Sequence, residues 1–326
     1  MPRLAELLAA AFGSPPDSSL LDARVMAWKY WEPRVDWTEP RSYVIERGGK
    51  LLAHVGLWPA QFGTSGPRGI QMIDWAASRS SPGSGVSLVQ HMARMYDFIY
   101  SIGGSETTRK ILPAFGFREA AQTWMAARPI RPLRQALTHQ SRNWKLPLRL
   151  ARNWWWARQP ALGGACQWLA KEVAPTELEQ VATSQFIPRS TGFYQYLLRC
   201  PVARIGLYSL AHNLRQVGHF VLALVRGQAR LAGVWLREPS EAAWASAFVA
   251  AQRTARNLDG ACEFAVKGSD GASRRAARNA GLREAGSSPV YLLDKKGLFP
   301  KVEDFQFQLI DDDGAFLDIG RSDYLT

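Results

Sequence analysis

The residues with the clearest chemical potential form a glycine loop, Pro82-Gly83-Ser84-Gly85. Residues 86–96 follow with apolar side chains at helical spacing, so the loop is predicted to end at a helix N-terminus. Glycine lets a backbone approach a phosphate closely, and the unpaired N–H groups of a first helical turn carry a partial positive charge. The loop can therefore hold a pyrophosphate without a basic side chain. It is neither GxGxxG nor a loop followed by Gly-Lys-Ser/Thr, which excludes the two common nucleotide motifs.

The elements that must position this loop follow from the pattern around it. Residues 73–78 predict the strand before the loop, residues 98–102 a buried strand after its helix, and residues 106–114 a second helix ending at Gly116-Phe117. Upstream, residues 42–45 and 51–57 predict a hairpin, and downstream residues 118–127 predict a closing strand. Residues 1–130 therefore account for one complete α/β unit.

This stretch resembles the GCN5-related N-acetyltransferases, abbreviated GNAT. Their loop reads Arg/Gln-x-x-Gly-x-Gly/Ala, and Gly85 stands at its central glycine, with Pro82 at the Arg/Gln position and Ser87 at the final Gly/Ala. Residues 105–117 align with the family's Asn-x-x-Ala-x-x-Leu-Tyr-x-Lys-x-Gly-Phe helix and share its final Gly116-Phe117. Ser105, Thr108, Ile111 and Ala114 stand at its Asn, Ala, Leu and Lys positions, and Leu112 replaces the tyrosine that usually protonates the departing thiolate. The resemblance implies a mixed α/β sheet.

The resemblance also implies an activity, the transfer of an acyl group from acetyl-CoA or another acyl-CoA to a small-molecule amine by direct attack in a ternary complex. It places the acyl donor on the end of the strand and on the loop, at Ala76, Ala77, Ser78, Arg79, Gly83, Ser84, Gly85, Val86 and Ser87. The amine must lose a proton, and His54 and Asp74 are the candidate catalytic residues. Asp74 is expected to orient His54 and to raise its basicity. A core histidine and a strand-end cap remain the structural alternatives.

The second half repeats the order of elements. The helix, hairpin and proline of residues 28–59 recur in residues 196–239, where the segment RGQARLAGVWLREP aligns with GGKLLAHVGLWP. Helices over 241–257 and 273–280 flank a strand over 261–267, and Gly281-Leu282 matches Gly116-Phe117. No glycine loop stands between Leu236 and Ala242. We therefore predict two tandem acetyltransferase-like domains, 1–130 and 181–326, the second without a pyrophosphate loop, joined by a linker over 131–180.

Positive charge is concentrated in that linker. The chain carries a net charge of +12, and residues 128–158 hold eight basic residues and no acid. Residues 146–158 predict a helix with Trp154, Trp155 and Trp156 beside arginines. Three interpretations stay open: a connecting helix packed between domains, a membrane-surface helix, and a docking site for an acidic partner such as an acyl carrier protein.

Several classes of function remain beside an acyl-CoA enzyme. A carrier-protein thioester could be the donor, a silent scaffold could keep the fold, and Fem-type aminoacyl transferases use charged tRNA, although nucleic acid is not the expected partner. No metal is expected, because Cys166, Cys200 and Cys262 stand far apart and residues 311–314 lack calcium-loop spacing and read as a surface turn. Without a signal-peptide pattern or an apolar run of membrane-spanning length, a cytoplasmic location without a transmembrane segment is expected.

Overall fold

A computed structural model describes residues 1–62, 65–81, 83–138, 144–158, 168–178, 187–318 and 324–326; Pro82 of the glycine loop lies outside them. The described helices are α1 (Pro2–Phe12), α2 (Ala23–Met26, extended by a π turn over Ala27–Trp31), α3 (Ser84–Met95), α4 (Glu106–Ile111), α5 (Pro132–Thr138), α6 (Leu146–Arg158), α7 (Thr191–Leu197), α8 (Glu241–Asn257) and α9 (Gly271–Asn279). The strands are β1 (Ser42–Arg47), β2 (Lys50–Gln61), β3 (Arg68–Ala77), β4 (Phe98–Ile102), β5 (Arg118–Pro129), β6 (Leu169–Glu172), β7 (Arg204–His212), β8 (Arg215–Val225), β9 (Gln228–Leu236), β10 (Glu263–Gly268) and β11 (Arg283–Leu293). None of the described helices is long and apolar enough to cross a bilayer.

The strands form one mixed sheet in the order β1-β2-β3-β4-β11-β5-β10-β9-β8-β7-β6. Each half contributes two antiparallel hairpin strands, a third strand, a helix and a parallel fourth strand, so that β1 to β4 correspond to β7 to β10. The order is therefore nearly palindromic about the centre of the sheet. This arrangement is the structural form of the repeat.

The fifth strand of each half pairs with the other half. β11 lies between β4 and β5 and is antiparallel to both, and β5 also pairs antiparallel with β10. Each half thus completes the sheet of the other, and the largest hydrophobic core joins Trp28, Trp58 and Trp124 to the side chains of β7 to β10. The domain boundaries at residues 130 and 180 stay a prediction, since β5 and β11 each form hydrogen bonds with strands of the opposite half.

The structure aligns the two halves with a shift of one strand relative to the alignment that the sequence indicates. The turn at Gly227 resembles the turn at Gly48-Gly49, but it joins β8 to β9, and β9 corresponds to β3 because each precedes the long helix. The hairpin that corresponds to β1 and β2 joins β7 to β8 at Asn213 and Leu214, whose φ angles are 49° and 64°. A leucine in the left-handed region gives no turn signal, because that conformation normally selects glycine or asparagine.

Candidate active site

The strand before the glycine loop separates from its parallel neighbour. β3 pairs with β4 only from Gly69 to Gln71, although β3 continues to Ala77. Just beyond the last pair, the register between β2 and β3 shifts by one residue between His54 and Gly56, and Asp74 adopts a φ of 49°. An extra residue of this kind is a β-bulge, which bends the strand and interrupts its pairing. The bulge therefore opens a split between β3 and β4.

The glycine loop lies at the end of this split. Gly83 precedes α3 with a φ of 87°, and no side chain caps the helix. The N–H groups of Ser84 and Ser87 are used within the loop, by Ser81 O and Gly83 O, whereas those of Gly83 and Gly85 have no partner among the described residues. A helix start with N–H groups that have no protein partner can hold an anion.

Close packing explains why the central position is glycine. Gly85 is buried, and a Cβ atom there would lie 3.0 Å from Trp75 Nε1 and 3.1 Å from the Cβ of Ala77. The Trp75 indole also donates a 3.0 Å hydrogen bond to Gly85 O, which fixes the helix start against β3.

The predicted donor-binding residues lie along this strand end and helix start. Ala76, Ser84 and Gly85 are buried, Ser78 and Val86 are partly exposed, and Ala77, Arg79, Gly83 and Ser87 are exposed. The fold thus brings together all of the residues that the resemblance indicated, although their role as a binding site stays a prediction.

The corresponding split in the second half is filled by the chain itself. β9 pairs with β10 only up to Leu231, and Val234 lies beyond that point. Gln308, from the C-terminal tail (residues 305–318), accepts from Val234 N at 2.6 Å and donates to Val234 O at 3.1 Å. One carboxamide therefore takes the place of a neighbouring strand. Within the described chain, no side chain bonds the main chain of Trp75, Ala76 or Ala77 in this way.

His54 is fully buried and holds the bulge in place. Its Nδ1 lies 3.0 Å from Asp74 O, which only accepts, so Nδ1 donates and Nε2 accepts from the Ser42 hydroxyl at 3.1 Å. Burial lowers the pKa of His54 to about 4, and the Asp74 charge offsets this only in part. The structure does bring His54 and Asp74 together, but through the main-chain carbonyl. The raised basicity predicted for His54 is wrong, because desolvation outweighs the carboxylate.

The Asp74 carboxylate belongs to a different cluster, which the sequence did not indicate. It accepts hydrogen bonds from Lys29 Nζ and, at 2.5 Å, from the Tyr30 hydroxyl. Lys29 also pairs at 2.5 Å with Asp313 of the C-terminal tail, and its side chain is only 1% exposed. The two carboxylates keep 13% and 15% exposure, so this side of the cluster reaches solvent.

Burial and neighbouring charges shift the pKa values of two groups in the cluster, Lys29 and Asp313. Burial alone would lower the pKa of Lys29, but Asp313 and Asp74 outweigh it and raise the pKa. Burial raises the pKa of Asp313 to about 7, against the attraction of Lys29 and with repulsion from Asp74. Asp313 therefore exchanges its proton near neutral pH while it lies beside the charged Lys29.

Of the neighbouring acids of the tail, Asp311 is buried and Asp312 is partly buried, so the prediction of a surface turn at residues 311–314 is wrong. Asp311 pairs with Arg189 at 2.7 Å, and Asp312 pairs with Lys267 at 3.3 Å. The three aspartates therefore tie the tail to three parts of the fold. Leu112, at the family's tyrosine position, is fully buried in the core beside α3 and carries no proton.

Comparison with known proteins supports the fold. No protein-family model and no curated protein matches the chain. Among solved structures, a GCN5-related N-acetyltransferase from Anabaena variabilis ATCC 29413 covers 90% of this chain and 70% of its own, with a TM-score of 0.53 and 12% identity. A conserved protein of unknown function from Enterococcus faecalis V583 covers 93% of this chain and 71% of its own, with a TM-score of 0.50 and 10% identity.

A tandem GNAT protein from the clavulanic acid biosynthesis pathway covers 90% of this chain and 94% of its own, with a TM-score of 0.50 and 10% identity. At these identities the likeness concerns the fold alone. The mixed α/β fold of tandem GCN5-related N-acetyltransferases, predicted from the sequence, is confirmed.

Proposed function

We propose that the chain is an acyl-CoA-dependent N-acyltransferase whose N-terminal half binds the donor. The observation that carries the proposal is the difference between the two splits. The one beside β3 ends in a glycine loop in which the N–H groups of Gly83 and Gly85 have no partner among the described residues, whereas the one beside β9 is filled by Gln308. One half is therefore built to bind, and the other is closed by its own chain.

The donor lies with its pyrophosphate on the start of α3 and its pantetheine along residues 76–78. The partial positive charge of the first helical turn stabilises the phosphates, and Arg79 adds a charge in place of the family's Arg or Gln. Acetyl-CoA or a longer acyl-CoA suits this site, and a carrier-protein thioester would share only its pantetheine part. The acyl group is then directed toward the bulge at Asp74.

The attacking amine gives its proton to the Asp313 carboxylate, which shares Lys29 with Asp74. The amine nitrogen forms a bond to the thioester carbonyl carbon, the carbon–sulfur bond breaks, and the thiolate takes a proton from water because Leu112 cannot supply one. A proton acceptor with a pKa near the operating pH is the most effective. His54 acts as a positioning residue, since both of its ring nitrogens are occupied and it holds the Asp74 carbonyl.

Release of free thiol from acetyl-CoA with a panel of primary amines tests the proposal. We expect kcat/KM to rise with pH through about 7, with the same midpoint for two amines of different pKa, because the titrating group belongs to the protein. Asp313→Asn should abolish this pH dependence and lower kcat about 100-fold with acetyl-CoA affinity unchanged, because it removes the titrating carboxylate. Asp74→Asn should shift the midpoint downward, because it removes the repulsion that raises the pKa of Asp313.

Asp259→Asn is the matched control, since Asp259 is exposed and pairs with Arg134 far from the cluster. A profile that follows only the pKa of the amine, or full activity in Asp313→Asn, would contradict the assigned base. The second candidate function is a catalytically silent binding protein, which would bind acetyl-CoA and acylate no amine. The buried Leu112 favours it, because this residue stands at the position of the family's proton-donating tyrosine.

A further inference from the structure

The helices α5 and α6 expose an unusual number of large apolar side chains. Four tryptophans are exposed among the described residues, and three of them, Trp144, Trp154 and Trp155, lie in or beside α6. Leu133, Leu137 and Leu148 are also exposed, each by more than 60%. Single exposed apolar residues are ordinary, but a contiguous group marks an interaction site.

The inner faces of the two helices are fully used. Asn153 donates a 3.0 Å hydrogen bond to Gln135 across the pair, and Trp156 donates one of 2.9 Å to Gly281 O. Of the three consecutive tryptophans, only Trp156 is buried. The interpretation as a helix that packs its tryptophans between domains therefore accounts for one tryptophan and leaves the other two unexplained.

The outer face of α6 has the composition of an interfacial helix. Leu148 and Trp155 are seven residues apart, which places them on one face about 10 Å apart along the axis. They are 66% and 58% exposed. Arg152 and Arg158 flank this stripe on its two sides. Such an apolar stripe bordered by arginines is typical of a helix that lies in a membrane surface, where tryptophan and the arginine stems sit at headgroup depth.

Four arginines around α6 contact neutral groups of the protein. Arg131 and Arg256 bond main-chain carbonyls, Arg152 bonds Asn153, and Arg158 stacks on the Trp154 ring at 3.4 Å; none of these four pairs with a carboxylate of the described chain. By contrast, the arginines of α9 pair with Glu284 and Glu241. A surface cleft of about 340 Å³ lies between Arg131, Arg158, Arg256 and Trp154. This surface therefore fits an anion.

The geometry points to an anionic phospholipid surface as the partner of this face. Leu148 and Trp155 enter the boundary between headgroups and acyl chains, Arg152 and Arg158 pair with lipid phosphates, and the cleft receives a headgroup. An acidic protein would satisfy the arginines, but it would not require this stripe of leucine and tryptophan. Lipid satisfies both at once, because an anionic bilayer is negative at its surface and apolar just below it.

Co-sedimentation of the full chain with vesicles tests the assignment. We expect binding to phosphatidylcholine vesicles containing about a third phosphatidylglycerol, little binding to pure phosphatidylcholine, and loss of binding in about 0.5 M salt. Arg152→Gln and Arg158→Gln should each weaken binding roughly fivefold. Leu148→Ser/Trp155→Ser should weaken it more than tenfold at low salt, because it removes the inserted part.

Trp31→Ser/Leu214→Ser is the matched control, with an exposed tryptophan and an exposed leucine that lie outside α5 and α6. Circular dichroism confirms that each variant is folded. Equal binding by the Leu148→Ser/Trp155→Ser variant and the parent, or no binding to anionic vesicles, would overturn the assignment. So would retention on immobilised poly-glutamate without vesicle binding, which would assign the face to acidic proteins.

Discussion

A single charge placed in the first turn of α3 gives a direct test of the donor site. Ser87 is exposed in that turn, and its hydroxyl only returns a 3.4 Å hydrogen bond to Gly83 O. Ser87→Glu should keep the helix intact, since an acid near a helix N-terminus is stabilising by about 0.3–1 kcal/mol. The same carboxylate would repel a pyrophosphate bound at the loop.

The size of the repulsion follows from Coulomb's law. At about 6 Å and an effective dielectric constant of about 40, one pair of like charges costs about 1.4 kcal/mol. A pyrophosphate with two charges doubles this, and salt reduces the sum to roughly 2 kcal/mol, which is about 30-fold in Kd. Titration calorimetry with acetyl-CoA at low and at high salt measures the effect, and the defect should shrink as salt is raised.

Ser87→Gln is the control, since it has nearly the shape of the glutamate without the charge and should lose much less affinity. Equal melting temperatures for the two variants show that the comparison concerns binding alone. If a folded Ser87→Glu protein binds acetyl-CoA as tightly as the parent, the pyrophosphate does not lie at this helix start, and the proposed donor site is wrong.

Two further predictions concern stability. His219, like His54, is buried with its pKa lowered to about 4 by desolvation, so each favours folding fully above pH 6.5 and progressively less as the pH falls toward 4. The raised pKa of Asp313 acts in the opposite direction, so the test compares urea unfolding of His219→Gln with that of the parent. Between pH 7 and 5 the free energy of unfolding of the variant should fall by about 2 kcal/mol less than that of the parent. Parallel curves of stability against pH would contradict this. Gln308→Met should lower the free energy of unfolding by about 2–4 kcal/mol, because it leaves two buried backbone groups of Val234 unpaired. Gln306→Met removes one hydrogen bond and should lower it by about half as much. Equal effects would show that the tail does not act as a strand partner.

Local elements of this protein follow from the sequence. The helices Leu146–Arg158 and Glu241–Asn257 and the strand Phe98–Ile102 have the predicted bounds, because hydrophobic periodicity and side-chain caps such as Ser240 act over a few residues. The glycine loop and its position before a helix follow in the same way. So does the repeat of elements, and with it the fold.

Only the tertiary structure decided which residues meet. The exchange of β5 and β11 depends on which sheet edge each strand reaches, and periodicity is the same for either edge. Lys29, Asp74 and Asp313 come from distant parts of the chain, and nothing near Asp313 in sequence distinguishes a buried ion pair from a surface turn. The role of His54 was equally undecided, since its basicity depends on desolvation and on a carbonyl that faces it only because β3 bulges. Charge and burial at a site are sums over all neighbours in space, and most of those neighbours are remote in sequence.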